Sequence, residues 1–99
     1  MKRVHLERRD AVAIVTLDDP DRRNAMTAQM VEEIVATFDE LEADGTTAAA
    51  VITGRGPAFC SGADVSNLGA LAAAQSDEER RSVTSIYEGF LRVLRSSLP

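Results

Sequence analysis

The stretch VITGRGPAFCSGADVSNL, from Val51 to Leu68, decides how this chain is read. A strand-like apolar run there breaks into a glycine-rich turn and then into a helix start. Ala49, Ala50, Val51 and Ile52 predict a short strand buried on both faces. Gly54, Gly56 and Pro57 end it, since glycine permits positive φ and proline cannot donate to a ladder. Gly62 follows, and Asp64 stands where an N-cap carboxylate accepts the free N–H groups of the next turn. Backbone donors at such a helix start can hold an oxyanion or a phosphate. A dinucleotide fingerprint starting at Gly54 would need glycine in place of Phe59, and a phosphate loop would need Gly-Lys, whereas the only lysine is Lys2. Both nucleotide readings fail. The turn alone leaves open an oxyanion-holding loop or a connector without a ligand.

Around this turn the chain is short. Its 99 residues suffice for one small domain, which would bury roughly 60–70% of its unfolded surface. A hydrophobic fraction of 44% fits a globular chain. A net charge of −5 and the lack of a basic stripe with interleaved aromatics argue against a nucleic-acid surface. One cysteine rules out an intramolecular disulfide, and one histidine leaves no zinc cluster. No apolar run approaches the roughly 20 residues of a membrane span, and the N-terminus lacks the core of a signal peptide. The expectation is a soluble, cytoplasmic protein that binds neither nucleic acid nor membrane.

In chain order, Val4–Glu7 and Ala11–Leu17 read as a β-hairpin across a charged turn at Arg8, Arg9 and Asp10. His5 falls on the first strand without an acid-base partner nearby in sequence, and is read as a surface residue with no role. Asp18, Asp19, Pro20 and Asp21 stop the second strand. Thr27 is a good N-cap, and Met26 and Val31 stand at the spacing of a hydrophobic staple. Met30, Val31, Ile34, Val35, Phe38 and Leu41 fall at helical spacing, with Glu32, Glu33, Asp39, Glu40 and Glu42 mostly opposite. This helix ends near Asp44-Gly45, with glycine as the left-handed cap. Gly69 and the small side chains of Leu68–Gln75 predict a mobile segment. Ser76-Asp77-Glu78-Glu79 then reads as a capping box. Val83, Ile86, Tyr87, Phe90, Leu91 and Leu94 form the apolar face of a second long helix running to about Ser97.

Two segments at this separation, L-D-D-P-D-R-R-N-A-M (Leu17–Met26) and G-x-G-x-x-F-C-x-G-A-D (Gly54–Asp64), resemble the N-terminal part of the enoyl-CoA hydratase/isomerase, or crotonase, superfamily. The resemblance runs from Val4 to Pro99. It implies an α/β fold, the N-terminal part of a crotonase-like ββα spiral: hairpin, helix, buried strand, oxyanion-hole turn and second long helix. It also implies an acyl-CoA thioester as substrate, with coenzyme A as part of that substrate and no permanently bound cofactor. Arg23, Ala25 and Met26 would lie along the CoA moiety, and an arginine there supplies a fixed charge and several donors for phosphate. The residue-level alternative is that Arg22 and Arg23 are solvated arginines balancing the neighbouring aspartates.

The backbone N–H of Ala63 corresponds to one donor of the oxyanion hole that holds the enolate oxygen. Ser61, Gly62, Asp64 and Val65 match positions along the adenine and pantetheine portions. Asp64 reads as a cap and not as a general base, because a capped carboxylate is stabilised in its charged form. Tyr87 reads as a core aromatic, although side chains near it can line the acyl pocket in the family. The family's second oxyanion donor and its catalytic acids lie downstream of the segment matching Leu94–Pro99. Residues 1–99 are therefore expected to form the N-terminal part of a crotonase-like domain, not a competent hydratase alone. Two outcomes fit: part of a hydratase-like enzyme, completed by a complementary C-terminal polypeptide or a longer product and assembled as a trimer or hexamer, or a non-catalytic remnant or binding module. Isomerisation, thioester hydrolysis and decarboxylation use the same enolate hole.

Overall fold

The computed structural model describes residues 1–62 and 88–99. Two antiparallel strands, β1 (Val4–Arg9) and β2 (Val12–Leu17), pair in register from Val4↔Leu17 to Arg9↔Val12. The strand is longer than expected, since Arg8 and Arg9 belong to it and only Asp10 and Ala11 form the turn. An edge strand tolerates these charges, and Asp10 accepts the left-handed φ of 55° because aspartate visits that region more readily than most residues. Alternation on β2 is clear. Ala13, Val15 and Leu17 are buried, while Val12 between them and the turn is exposed.

β3 (Ala49–Gly54) lies parallel to β2, giving the order β1-β2-β3. Burial on both faces is not what this strand shows. Ala50 and Ile52 pack on the core, but Val51 is 50% exposed, because the helix between the strands covers only one face of the sheet. The chain's last residue returns to this strand, where the Ala50 N–H donates to the Pro99 carbonyl at 3.1 Å.

That helix, α1 (Ala28–Asp44), starts and stops as its caps dictate. The Thr27 hydroxyl accepts the Met30 N–H at 3.2 Å, and Gly45 closes the helix at a φ of 68°. The Asp44 carboxylate then takes the Thr46 and Thr47 N–H groups. Met30, Val31, Ile34, Phe38 and Leu41 are buried and join Val4, Ala13, Val15, Leu17 and Met26 in one core. Each of these side chains other than Ala13 contributes about 1.5–3 kcal/mol when fully buried. Glu33, read from its spacing as part of the outer face, is instead half-buried and accepts the N–H groups of Arg3 (2.8 Å) and Val4 (3.2 Å). Burial pushes its carboxyl up, but these backbone donors and Gln29 outweigh that and leave it below the usual range.

The second helix is described as α2 (Glu88–Leu94) and packs on α1. Gly89 is its buried residue, set where a Cβ would stand 3.1 Å from Met26 Sδ. Phe90 and Leu94, expected on the buried face, are 39% and 81% exposed. The close contact at Gly89 rotates the helix so that Val93 meets the core instead. Arg92 crosses to α1, donating to Asp39 at 2.9 Å and to both Glu42 oxygens at 3.2 and 3.0 Å. The helix stops at Leu94 and not near Ser97, whose N–H is taken by Glu42 at 3.1 Å. The expected segment Leu68–Gln75, the capping box Ser76–Glu79, and Val83, Ile86 and Tyr87 lie outside the described residues.

β3 ends in glycine for a steric reason. No positive φ is required at Gly54, contrary to the expectation, but a Cβ there would sit 2.7 Å from Asn24 Nδ2 and 2.8 Å from the Ala58 carbonyl oxygen. Gly54→Ala should therefore cost about 1–3 kcal/mol of stability, the range for forced overpacking, read as a lowered urea midpoint with an unchanged slope. The α1–α2 contact has its own signature in pH. Arg92, then the Ser97 N–H, hold the Glu42 carboxyl at about 2 against an ordinary 4.5. A depressed carboxyl stabilises fully above its unfolded value and loses that contribution as pH falls from about 4.5 towards 2. Glu42→Gln should thus unfold at lower urea than the parent near neutral pH, and the gap between the two midpoints should close across that acid window.

Candidate functional site

The arch from Leu17 to Met26 and the turn from Gly54 to Gly62 meet through their backbones. Pro20–Arg22 form one 3-10 turn, and the Asp19 carbonyl accepts the N–H groups of Arg22 (3.1 Å) and Asn24 (2.9 Å). Arg23 and Asn24 then both adopt left-handed φ, 52° and 57°. This reversal aims the arch back at the turn. The Ser61 N–H donates to the Arg23 carbonyl at 2.9 Å, and the Met26 N–H donates to the Gly62 carbonyl at 2.8 Å. The Ser61 hydroxyl adds a bond to the Arg22 carbonyl at 3.3 Å, joining residues 39 positions apart. Gly56 and Gly62, at φ of 89° and 95°, supply the backbone freedom that the turn requires.

Asn24 fills the space between the two segments and is wholly buried. Its Nδ2 donates to the carbonyls of Arg55 (3.1 Å), Ala58 (3.0 Å) and Phe59 (3.0 Å), and its Oδ1 accepts the Asp19 N–H at 2.7 Å. Sequence reasoning gave this residue no part. The available signal was an Asn directly after the Asp-Pro-Asp turn, a residue type that tolerates left-handed backbone.

Five of the residues singled out from sequence are thus brought together. Arg23 is exposed and has no ion pair among the described residues, whereas Arg22 stands 3.5 Å from Asp19. The picture of two arginines both balancing aspartates holds for Arg22 alone. Ala25 and Met26 are buried, and the Met26 side chain faces α2. Ser61 is exposed, and the Gly62 N–H points to Cys60 Sγ at 3.4 Å. Ala63, Asp64 and Val65 lie outside the described residues. Beside the turn an apolar groove of about 310 Å³ runs between β3, α1 and α2, with Met26, Ile52, Phe59, Cys60 and Val93 among its walls.

His5 is not as isolated as its place in the sequence implies. Its Nε2 lies 2.9 Å from Asp18 Oδ2, which also takes Arg55 Nη1 at 2.9 Å, tying β1, the end of β2 and the start of the turn. This corner sits on the far side of the arch from Arg23 in the chain order and holds structure. Among the described residues no cluster of His, Cys, Asp and Glu could hold a metal ion, and no helix is long and apolar enough to cross a membrane.

Known proteins resemble this chain in sequence and in fold. The family model described as enoyl-CoA hydratase/isomerase matches residues 7–99. The Mycobacterium tuberculosis protein named Probable enoyl-CoA hydratase EchA14 is 42% identical over 88 residues, which are 89% of this chain and 33% of that protein. Among solved structures, an enoyl-CoA hydratase/carnithine racemase from Magnetospirillum magneticum superposes with a TM-score of 0.84 at 29% identity, over 100% of this chain and 37% of that one. An enoyl-CoA hydratase/isomerase from Xanthobacter autotrophicus Py2 gives 0.82 at 30% identity, over 98% and 36%. The chain spans about a third of the length of the relatives it matches. With the motif-bearing arch and turn paired as described, and the family match covering nearly the whole sequence, the chain belongs to the enoyl-CoA hydratase/isomerase family and has the crotonase fold.

Proposed function

We propose that this chain forms the CoA-thioester-binding part of an enoyl-CoA hydratase-like enzyme, which adds water across the double bond of a 2-enoyl-CoA. The observation that carries the reading is the backbone pairing of Arg23–Met26 with Ser61–Gly62. It builds one short polar ledge from the two segments that the resemblance assigns to CoA. Arg23 stands on that ledge without an ion pair among the described residues, and its guanidinium offers the planar donors that a phosphate takes. Ser61 presents its side chain at the surface beside it. The apolar groove next to Cys60 offers hydrocarbon surface to an acyl chain. In this reading the Ala63 N–H, next in sequence after Gly62, donates to the thioester oxygen as charge gathers there, and Asp64 and Val65 extend the CoA contact. Hydration also needs a proton-transfer group within hydrogen-bond reach of the substrate, which the ledge itself does not contain.

The same proposal includes assembly as a trimer or hexamer, or with a complementary polypeptide, in the cytoplasm. Exposed apolar side chains at Val12 and Val51, on the sheet face that α1 leaves open, support a covered partner surface. Calorimetric titration with crotonyl-CoA tests the binding claim. The expected result is a dissociation constant on the order of micromolar, weakened about tenfold or more by Arg23→Ala, as for loss of a charged hydrogen bond. The loss should vanish when crotonyl-pantetheine, lacking the nucleotide phosphates, is the ligand. No binding by the parent chain, or equal binding by Arg23→Ala, would overturn the reading.

A further inference from the structure

We infer that Asn24 is a positioning residue for the thioester site: its carboxamide, touching no ligand, sets where the Gly54–Gly62 turn stands against the Arg23–Met26 arch. The inference rests on the functional reading above and adds a residue to it. Three carbonyls converge on one NH₂ group, whose two hydrogens are shared among them, while Oδ1 is filled by the Asp19 N–H. The group is wholly buried and fully satisfied, so removing it takes the donor from three part-buried carbonyls and leaves the Asp19 N–H without its acceptor.

Position adds to the case. Asn24 lies between Arg23, whose carbonyl takes the Ser61 N–H, and Met26, whose N–H goes to Gly62. One side chain therefore sets the depth of the turn, and the two flanking bonds set its direction. Because a trans peptide points its N–H opposite its carbonyl, holding the Ala58 and Phe59 carbonyls inward turns the Phe59 and Cys60 N–H groups away from the carboxamide. The path into Ser61 and Gly62 follows from that.

Other residues cannot reproduce this. Aspartate would face the carbonyls with acceptors, serine carries a single donor, and a left-handed φ of 57° disfavours most other side chains. The strand end is fitted to the same group, since a Cβ on Gly54 would meet Nδ2 at 2.7 Å.

The test compares the full chain with Asn24→Gly, which keeps the left-handed backbone without strain, and Asn24→Asp. Amide hydrogen exchange and crotonyl-CoA titration are the two readouts. Both variants should lose protection about tenfold or more at the Met26 and Ser61 amides while those of α1 and the β1–β2 ladder hold, and should bind crotonyl-CoA about tenfold or more weakly. Burial and the facing carbonyls raise the introduced carboxyl's pKa, so in Asn24→Asp mildly acidic pH supplies one O–H donor. Part of both losses should then return in Asn24→Asp and not in Asn24→Gly, as a role carried by the donor requires, while confinement of the lost protection to Met26 and Ser61 separates positioning from a general loss of stability.

Unchanged protection at Met26 and Ser61, unchanged binding despite lost protection, or loss spread evenly over the fold would overturn the proposal. If the parent chain fails to bind crotonyl-CoA while the variants lose protection at the turn, the functional reading falls and the positioning of the turn by Asn24 stands. Should neither Asn24 variant fold, Gly54→Ala presses on the same carboxamide without removing a polar group; intact binding and protection in that folded variant would equally overturn the proposal.

Discussion

The Asn24 carboxamide is the constraint on which the placement of the other parts depends. Backbone carbonyls inside a loop cannot be left without donors, and the Gly54–Gly62 turn directs those of Arg55, Ala58 and Phe59 at one point. A single buried NH₂ group answers all of them. Because Asn24 belongs to a different part of the chain, satisfying the turn also fixes the arch, and the arch leads directly into the N-cap of α1 at Thr27. Met26 joins the core to the candidate site, since its side chain lies in the apolar cluster while its N–H goes to the Gly62 carbonyl.

Features set by near neighbours could be read from sequence. The Thr27 cap, the Gly45 cap and the stripe from Met30 to Leu41 follow from spacing within a single helix, and each is found where spacing placed it. The hairpin was legible in outline, with its turn shifted because Arg8 finds Asp44, the last residue of α1, and Thr47 just past it. Features that need a distant partner were not legible. Glu33 reads as a solvated helix residue until the N-terminus of β1 is laid against it, and Asn24 reads as turn filler until the loop more than thirty positions later closes over it.

The second helix shows the limit of periodicity more sharply. Apolar spacing identifies a face that could be buried, but what lies opposite decides which residues are buried. Gly89 carries no apolar signal, yet its missing side chain is what lets α2 approach Met26 and Ile34, leaving Phe90 and Leu94 exposed along the apolar groove. Arg92 then reinforces that rotation through Asp39 and Glu42, two residues read only as the polar side of α1. As for the candidate site, two short motifs taken together pick out Arg23, Ala25, Met26, Ser61 and Gly62, and the structure brings these five together. Their mutual geometry was not legible, because it consists of main-chain hydrogen bonds that no side-chain pattern encodes.

Under the proposed reading an acidic chain must take a polyanion, and the placement of its charges bears on that. The net charge is −5, and several aspartates sit in the arch itself. Each of the two nearest the strand is already engaged: Asp18 takes His5 and Arg55, and Asp19 takes Arg22 with Arg3 at 3.6 Å. Their negative charge is balanced within the corner where β1 begins and β2 and β3 end. Arg23, reversed by its left-handed backbone, stands apart from these pairs with its carbonyl committed to Ser61 and its guanidinium exposed. The field at the ledge is therefore set by the charges nearest to it, Arg23 together with Asp21 and the Arg22–Asp19 pair, more than by the charge of the whole chain, which acts through solvent and is screened within about 10 Å at ordinary salt.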